Sequence, residues 1–188
     1  MNCNGLGILY SLFDFRRTNH FAIASIIMKK EQDTTDEIKL DATDIQILRL
    51  LQQNAKLTVR DIASRVHLSA TPIHERIKRL ESSGVIRQYV ALLNNELVNK
   101  SIMVICYVSL NVHNKKTGKE FIEAVTKFPE VIECYNVSGE FDFMLKIVAS
   151  SMKSYRDFYV NELSGVKGIG QFKSIFVMDI LKQTHQIL

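Results

Sequence analysis

Cysteine is scarce, and the chemistry that depends on it is scarce with it. The 188 residues hold three cysteines, Cys3, Cys106 and Cys134. They are too few and too scattered for a disulfide scaffold or a zinc site. Cys106 and Cys134 lie in apolar, strand-like runs and are expected as small buried thiols in a reducing cytoplasm. Long apolar runs are also missing. LGILYSLF and FAIASIIM are short, DFRRTNH separates them, and neither reaches the length of a membrane span. Nor do they show the basic start, single apolar run and small-residue cleavage site of a signal peptide. His20, His67, His74, His113 and His185 do not fall at metal-ligand spacing. No Ser-His-Asp order and no glycine-rich phosphate loop stands out, so neither catalysis nor a cofactor is expected. Gly165, Gly168 and Gly170 read as a loosened loop rather than a cofactor cradle.

Charge of one sign is not abundant either. The formal net charge is +4, with charged residues at 23%. That alone does not mark a nucleic-acid binder. Its distribution is more informative. Residues 1–39 carry five basic and five acidic groups, 40–93 eight and five, and 94–188 eleven and ten. The positive excess therefore sits on 40–93. An apolar content of 46% suits one or two domains with real cores.

Residues 1–39 do not match the remainder and are read as an unassigned extension. Met28 precedes a polar lead-in, KKEQDTTDEIK, and is the expected start of the functional protein. From there Leu40, Asp44, Ile47, Leu48 and Leu51 recur at helical spacing, with Asp41 or Thr43 as cap and Asn54 as stop. A second helix opens at Thr58, where Asp61 completes a capping box, and buries Ile62, Ala63 and Val66. His67-Leu68-Ser69 is a tight turn. A third helix starts near Ser69 to Thr71 and tolerates Pro72 in its first turn, where an early N–H has no helical partner. It buries Ile73, Ile77 and Leu80 and ends at Gly84. Val85-Ile86 and Tyr89-Val90 are expected as the two short strands of a wing.

Two helices across a tight turn, a basic excess and a wing describe a winged helix-turn-helix over 40–90. The outer face of its third helix offers Thr71, His74, Glu75, Lys78 and Arg79, with Arg76 on the flank. Arginine and lysine bond phosphates or guanine edges, while His74, Glu75 and Thr71 sort bases by donor and acceptor pattern. Ser69 and Thr71 are expected as caps at the helix N-terminus, which attracts anions. The expected DNA-binding set is Ser69, Thr71, Pro72, His74, Glu75, Arg76, Lys78 and Arg79.

After a linker strand at 91–101, residues 102–188 read as strand, helix, strand, strand, helix, strand. The strands are 102–110, 131–138, 141–149 and 172–181; the helices are 116–128 and 151–163. Phe141, Phe143, Leu145, Ile147 and Ala149 alternate onto one face. Met152, Tyr155 and Tyr159 point inward from the second helix. The βαββαβ order gives an α+β, ferredoxin-like antiparallel sheet with both helices on one face. An apolar sheet face without helices argues for a second copy.

LDATDIQILRLLQQNAKLTVRDIASRVHLSATPIHERIKRLESSGVIRQYVALLN resembles the DNA-binding half of the Lrp/AsnC (leucine-responsive / asparagine-operon, feast-famine) regulators. VIECYNVSGEFDFMLKIVASSMKSYRDF resembles their effector-binding (RAM-type) half. The likeness runs from Leu40 to the C-terminus, with both signatures in the expected order. It implies a cytoplasmic transcriptional regulator that binds double-stranded DNA as a homodimer, often in higher even-numbered oligomers, without a membrane. It also implies an amino-acid effector at the Gly-x-x-Asp turn, which maps to Ser138, Gly139, Glu140, Phe141 and Asp142. There Gly139 would let backbone N–H groups approach a carboxylate, and Asp142 would accept bonds from an ammonium. Asn99-Lys100 departs from the pattern, which often has a glycine after the linker strand. Two alternatives accompany this reading. One is a tetrapyrrole decarboxylase relative, which needs histidine or arginine around a large pocket. The other is an effector-sensing assembly module with vestigial DNA binding.

Overall fold

A computed structural model describes residues 38–188. The expectations for residues 1–37, the start at Met28 among them, lie outside the described residues. The described chain forms two compact units. One is 38–92 together with Ile180–Leu188; the other is Leu93–Asp179.

The first unit is helical. Helix α1 spans Ala42–Gln53, α2 Val59–Val66 and α3 Ala70–Ser82. The starts of α1 and α2 are fixed locally by reciprocal side-chain and backbone bonds: Asp41 with Asp44, and Thr58 with Asp61. Each box satisfies two N–H groups that have no partner inside the helix. His67 turns the chain between α2 and α3 with φ of 57°, and Gly84 leaves α3 with φ of 76°. Ile47, Leu48, Ile62, Ala63, Ile73 and Leu80 close the core, with Ile77 and Val66 half-buried at its edge. Each full burial removes apolar surface worth about 1.5–3 kcal/mol from water.

The wing departs from expectation. Residues 85–90 form no strand ladder, and 91–101 form no linker strand. Val85 and Ile86 pack on the helical core instead, and the Ile86 N–H donates to the Leu80 carbonyl at 2.9 Å. A strand is stabilised by a neighbour that takes up its N–H and C=O groups. This segment has too few residues and no tight hairpin turn to supply one. Within 91–101 the Asn94 side chain accepts the N–H groups of Glu96 and Leu97, closing a turn. Asn99 ends it with φ of 57°. Asparagine is among the few side chains that tolerate this conformation, which accounts for the position doing without glycine.

The second unit is a four-stranded antiparallel sheet in the order β2-β3-β1-β4. The strands are β1 Ile102–Leu110, β2 Val131–Asn136, β3 Phe143–Ala149 and β4 Ile169–Phe176. Helix α4 is Lys115–Val125 and α5 is Met152–Asn161. The order of elements and strands is the βαββαβ arrangement expected from the sequence. Val104, Cys106 and Val108 alternate with Phe143, Leu145 and Ile147 onto the helix side, against Phe121, Val125, Tyr155 and Phe158. Met152, expected inward, is exposed, and Phe158 is buried in the core. The last strand begins and ends earlier than its apolar pattern suggests. Gly170 lies within its start, and Gly168 is in the turn just before it rather than in a loose loop. Gly168 has φ of 89°, and a Cβ there would meet Thr117 Cγ2 at 2.6 Å.

Candidate nucleic-acid interface and effector turn

Helix α3 is amphipathic by construction. Ile73 and Leu80 are fully buried, and Ile77 between them packs at the edge of the core, so the opposite face of the helix is turned outward. Thr71, His74, Glu75 and Lys78 are exposed and follow one another at helical spacing of three, one and three. They form a single stripe that a duplex groove could meet. Ser69 occupies the N-cap position, yet its hydroxyl caps nothing. The hydroxyls of Ser69 and Thr71 thus stand at the positive end of a thirteen-residue helix. Pro72 is half-buried in the first turn.

Arg76 and Arg79 are placed differently. Both turn back onto α1. Arg76 Nη1 donates to Asp41 Oδ2 at 2.6 Å and to Asp44 Oδ1 at 2.8 Å. Arg79 Nη2 donates to Asp44 Oδ2. Asp44 is fully buried, and its Oδ2 also accepts the Asp41 N–H at 3.1 Å. Such a carboxylate is tolerable only because three donors converge on it. The Asp44 N–H, with the Arg76 guanidinium after it, holds the Asp41 carboxyl below its ordinary range. Asp41 and Asp44 in turn raise the Arg76 guanidinium above its own. Arg76 keeps about a quarter of its side chain in solvent and Arg79 about half. The eight residues expected to bind DNA therefore divide into an outward stripe, a pair of free hydroxyls, Pro72 in the fold, and two arginines clamped to the first helix.

The Asp41–Asp44 grip is a feature that sequence periodicity did not isolate. Asp44 was visible as a charged residue at a core-facing spacing. Its partners lie 32 and 35 residues further along.

In the sheet unit the residues Ser138 to Asp142 form the turn into β3. Gly139 has φ of 123°, outside the range of ordinary side chains. Ser109 donates to the Glu140 carbonyl at 3.2 Å, and the Asp142 N–H donates to the Val108 carbonyl at 2.9 Å. Asp142 is buried. Its Oδ2 accepts the Leu110 N–H at 2.8 Å, and its Oδ1 lies 3.1 Å from His113 Nδ1. The carboxylate thus ties the end of β1 and the following loop to the turn. Phe141 does not join Phe143 on the helix side. Its ring lies 5.3 Å from that of Tyr107 and 5.9 Å beneath Lys173 Nζ, on the opposite face. The reason is that β3 begins only at Phe143. The turn before it breaks the alternation.

An open concavity of about 500 Å³ lies on the helix side, lined by Glu120, Ala124, Phe128, Asn161, Glu162, Gly165, Val166 and Lys167. Neither histidine nor arginine lines it. No group of three or more potential metal ligands occurs among the described residues.

Comparison with known proteins matches this arrangement unit by unit. Residues 40–87 fit the model of a winged helix-turn-helix DNA-binding domain, and 103–187 that of the Lrp/AsnC ligand binding domain. A leucine-responsive regulatory protein of Haemophilus influenzae is 40% identical over 146 residues, spanning 78% of this chain and 88% of its own. The chain belongs to the Lrp/AsnC family of transcriptional regulators. Among other relatives, the DNA-binding transcriptional activator DecR of Escherichia coli is 32% identical, over 79% of this chain and 97% of its own. Two solved structures share the architecture with a TM-score of 0.75 and 37% identity. One is a regulator of Neisseria meningitidis in complex with L-Met, covering 78% of this chain and 95% of its own. The other is an AsnC family regulator of Agrobacterium tumefaciens, covering 79% and 97%. No helix among the described residues is long and apolar enough to cross a membrane.

Proposed function

We propose that this Lrp/AsnC regulator reads duplex DNA with helix α3 and answers to an amino acid held at the turn 138–142. The observation that carries the reading is the outward stripe Thr71, His74, Glu75 and Lys78, set over the buried stripe of Ile73 and Leu80. Lys78 meets phosphate or a guanine edge, and His74 and Glu75 discriminate bases by acceptor and donor pattern. Ser69 and Thr71 meet a phosphate at the helix end. Arg76 and Arg79 act first as anchors that fix the angle of α3 on α1, and Arg79 retains donors for the backbone. Two such helices, from a cytoplasmic homodimer, enter successive major grooves about one helical turn apart. The regulator works without catalysis.

At the effector turn, Gly139 opens backbone N–H groups to a carboxylate. The exposed Glu140, rather than Asp142 alone, meets the ammonium, because both Asp142 oxygens already face Leu110 and His113. The related structure with L-Met supports an amino acid as the ligand class. A dimer covers the open sheet face, where Tyr107, Met144 and Ile175 surround the Lys146–Glu133 ion pair of 2.9 Å. That pair is already satisfied within one chain, so a partner can cover it without stranding a charge. Even-numbered assemblies of dimers follow when effector turns meet.

The test is competition binding to the duplex upstream of the protein's own gene against a random-sequence duplex. His74→Ala and Glu75→Ala should shrink the preference for the specific duplex by about tenfold, while binding to random sequence stays within twofold. Equal loss on both duplexes, or none on either, overturns the assignment of α3 as reader.

A further inference from the structure

The chain ends in a part of the molecule that its sequence position does not suggest. Strand β4 stops at Phe176 and the sheet unit at Asp179, but Ile180–Leu188 belong to the helical unit. They form no helix or strand of their own. One side chain gathers them. Gln52, on the last turn of α1, donates through Nε2 to the His185 carbonyl at 3.3 Å and accepts the Leu188 N–H through Oε1 at 3.1 Å. A carboxamide has a donor and an acceptor side by side, so it engages an extended backbone much as a neighbouring strand would. The tail is also oriented. Leu188 is about half covered, while Ile187 stands in solvent at 88% exposure.

We propose that residues 180–188 are a strap that catches on Gln52 and braces helix α1, giving the sheet unit a second connection to the DNA-reading helices. The first connection is the segment 91–101. The second runs from β4 through 177–179 into the strap. Gln52 lies eight residues after Asp44 on the same helix, about 12 Å along its axis. Asp44 holds Arg76 and Arg79 of α3. A pull on the strap therefore acts on the helix to which the reader is clamped. The transmitting parts are one rigid helix and one buried carboxylate with two guanidinium partners. Such a chain can pass a displacement on, because packed helices move as units rather than deforming continuously.

The strap lies at the low-stability end of the molecule: among the described residues two exposed hydrogen bonds tie it to α1, and its Ile180 and Leu188 are only about half covered. It can thus be engaged or released by modest changes in what β4 does. Its role as a brace is independent of the identity of any effector. Only its consequence for DNA rests on the function proposed above, and the readouts are chosen to separate the two.

The experiment is hydrogen exchange followed by mass spectrometry on the full chain, on Gln52→Ala, and on a chain shortened after Asp179. In the full chain, the amide of Leu188 exchanges slower than an unstructured peptide. Gln52→Ala removes that protection by about tenfold. Either Gln52→Ala or removal of the strap speeds exchange in the peptide covering 48–54 by several-fold, while β1 and β3 amides stay unchanged. A tail that exchanges at the unstructured rate in the full chain overturns the proposal, and so does a protected tail indifferent to Gln52→Ala. Unchanged exchange in 48–54 after removal of the strap overturns the bracing role. Affinity for the duplex upstream of the protein's own gene is then measured on the same three proteins. A strap that passes exchange but leaves this affinity within twofold refutes its link to DNA reading alone. Loss of binding by the full chain itself counts against the proposed function and not against the strap.

Discussion

Replacing Asp44 with asparagine separates what the two arginines do for the fold from what they do for DNA. Asp44 is fully buried and accepts from Arg76, Arg79 and the Asp41 N–H. Removing one partner of a fully buried ion pair costs about 3–5 kcal/mol. Here the arginines reach solvent, so their freed guanidiniums rehydrate, and asparagine keeps one acceptor. The expected loss is accordingly about 2 kcal/mol. For a unit of this size that lowers the midpoint of thermal unfolding by roughly 10 °C. The same substitution should strengthen the dependence of DNA binding on salt. Each additional phosphate neutralised adds about 0.9 to the magnitude of the log–log slope, so two released arginines add up to about 1.8. The assays are calorimetric unfolding of the full chain, and fluorescence anisotropy on a labelled duplex across a salt series at a temperature where the variant is folded. An unchanged midpoint would show that Asp44 does not hold α3. A lowered midpoint with an unchanged salt slope would show that Arg76 and Arg79, once released, do not reach the DNA backbone.

Other consequences can be checked as simply. Lys78→Ala should weaken binding to all duplexes alike and reduce the salt slope by about 0.9, as expected of a phosphate contact; a selective loss on one sequence would reassign Lys78 to base reading. The Asp41 carboxyl is depressed in the folded state, so its contribution is present above the unfolded value and is lost as pH falls through the folded one. Acid unfolding of the helical unit, followed by circular dichroism, should shift to higher pH in Asp41→Asn. Burial pushes the Cys106 thiol up to about 11, so in the native protein iodoacetamide should leave Cys106 untouched at neutral pH; rapid labelling would mean that the sheet unit opens there. Asp142→Asn keeps the acceptor for the Leu110 N–H but removes the charge facing His113. Thermal-shift titration with L-methionine and L-leucine should then report a weakened response on a sheet unit that stays folded, and an identical response would remove Asp142 from the effector turn.

The parts of the fold legible in the sequence are those decided within a few residues. Capping boxes at Asp41 and Thr58, the αL turn at His67 and Gly84 after α3 are contacts across three or four positions, and each stands where its residues indicate. The alternation of β1 and β3 is equally local. What escaped depends on distant partners. The wing and the 91–101 segment have strand-like composition, but a strand is stabilised by its neighbour, and no strand pairs with them among the described residues. Phe141 reads as one more step of an alternating strand until the preceding turn, tied by Asp142 to Leu110, switches it to the other face. Gly168 reads as loop flexibility, whereas its lack of a side chain admits Thr117 against the start of β4. At the candidate site the outward residues of α3 were legible because burial of Ile73 and Leu80 determines them. Which of its cations are clamped was not.

That distinction changes the physical account of recognition. A helix whose arginines were all free would bind DNA through many mobile cations and lose side-chain entropy with each contact. Here Arg76 is already held at 2.6 and 2.8 Å by two carboxylates, and Arg79 by one. Their order is established on folding, before DNA arrives. The helix therefore presents Thr71, His74, Glu75 and Lys78 from a fixed base, and fewer side chains remain to be ordered on binding. Non-specific affinity should then be modest, because fewer cations meet phosphate, while discrimination between sequences gains from the rigid mounting. If α3 reads DNA as proposed, the acidic pair on α1 should lower attraction to DNA in general and sharpen the reading of DNA in particular.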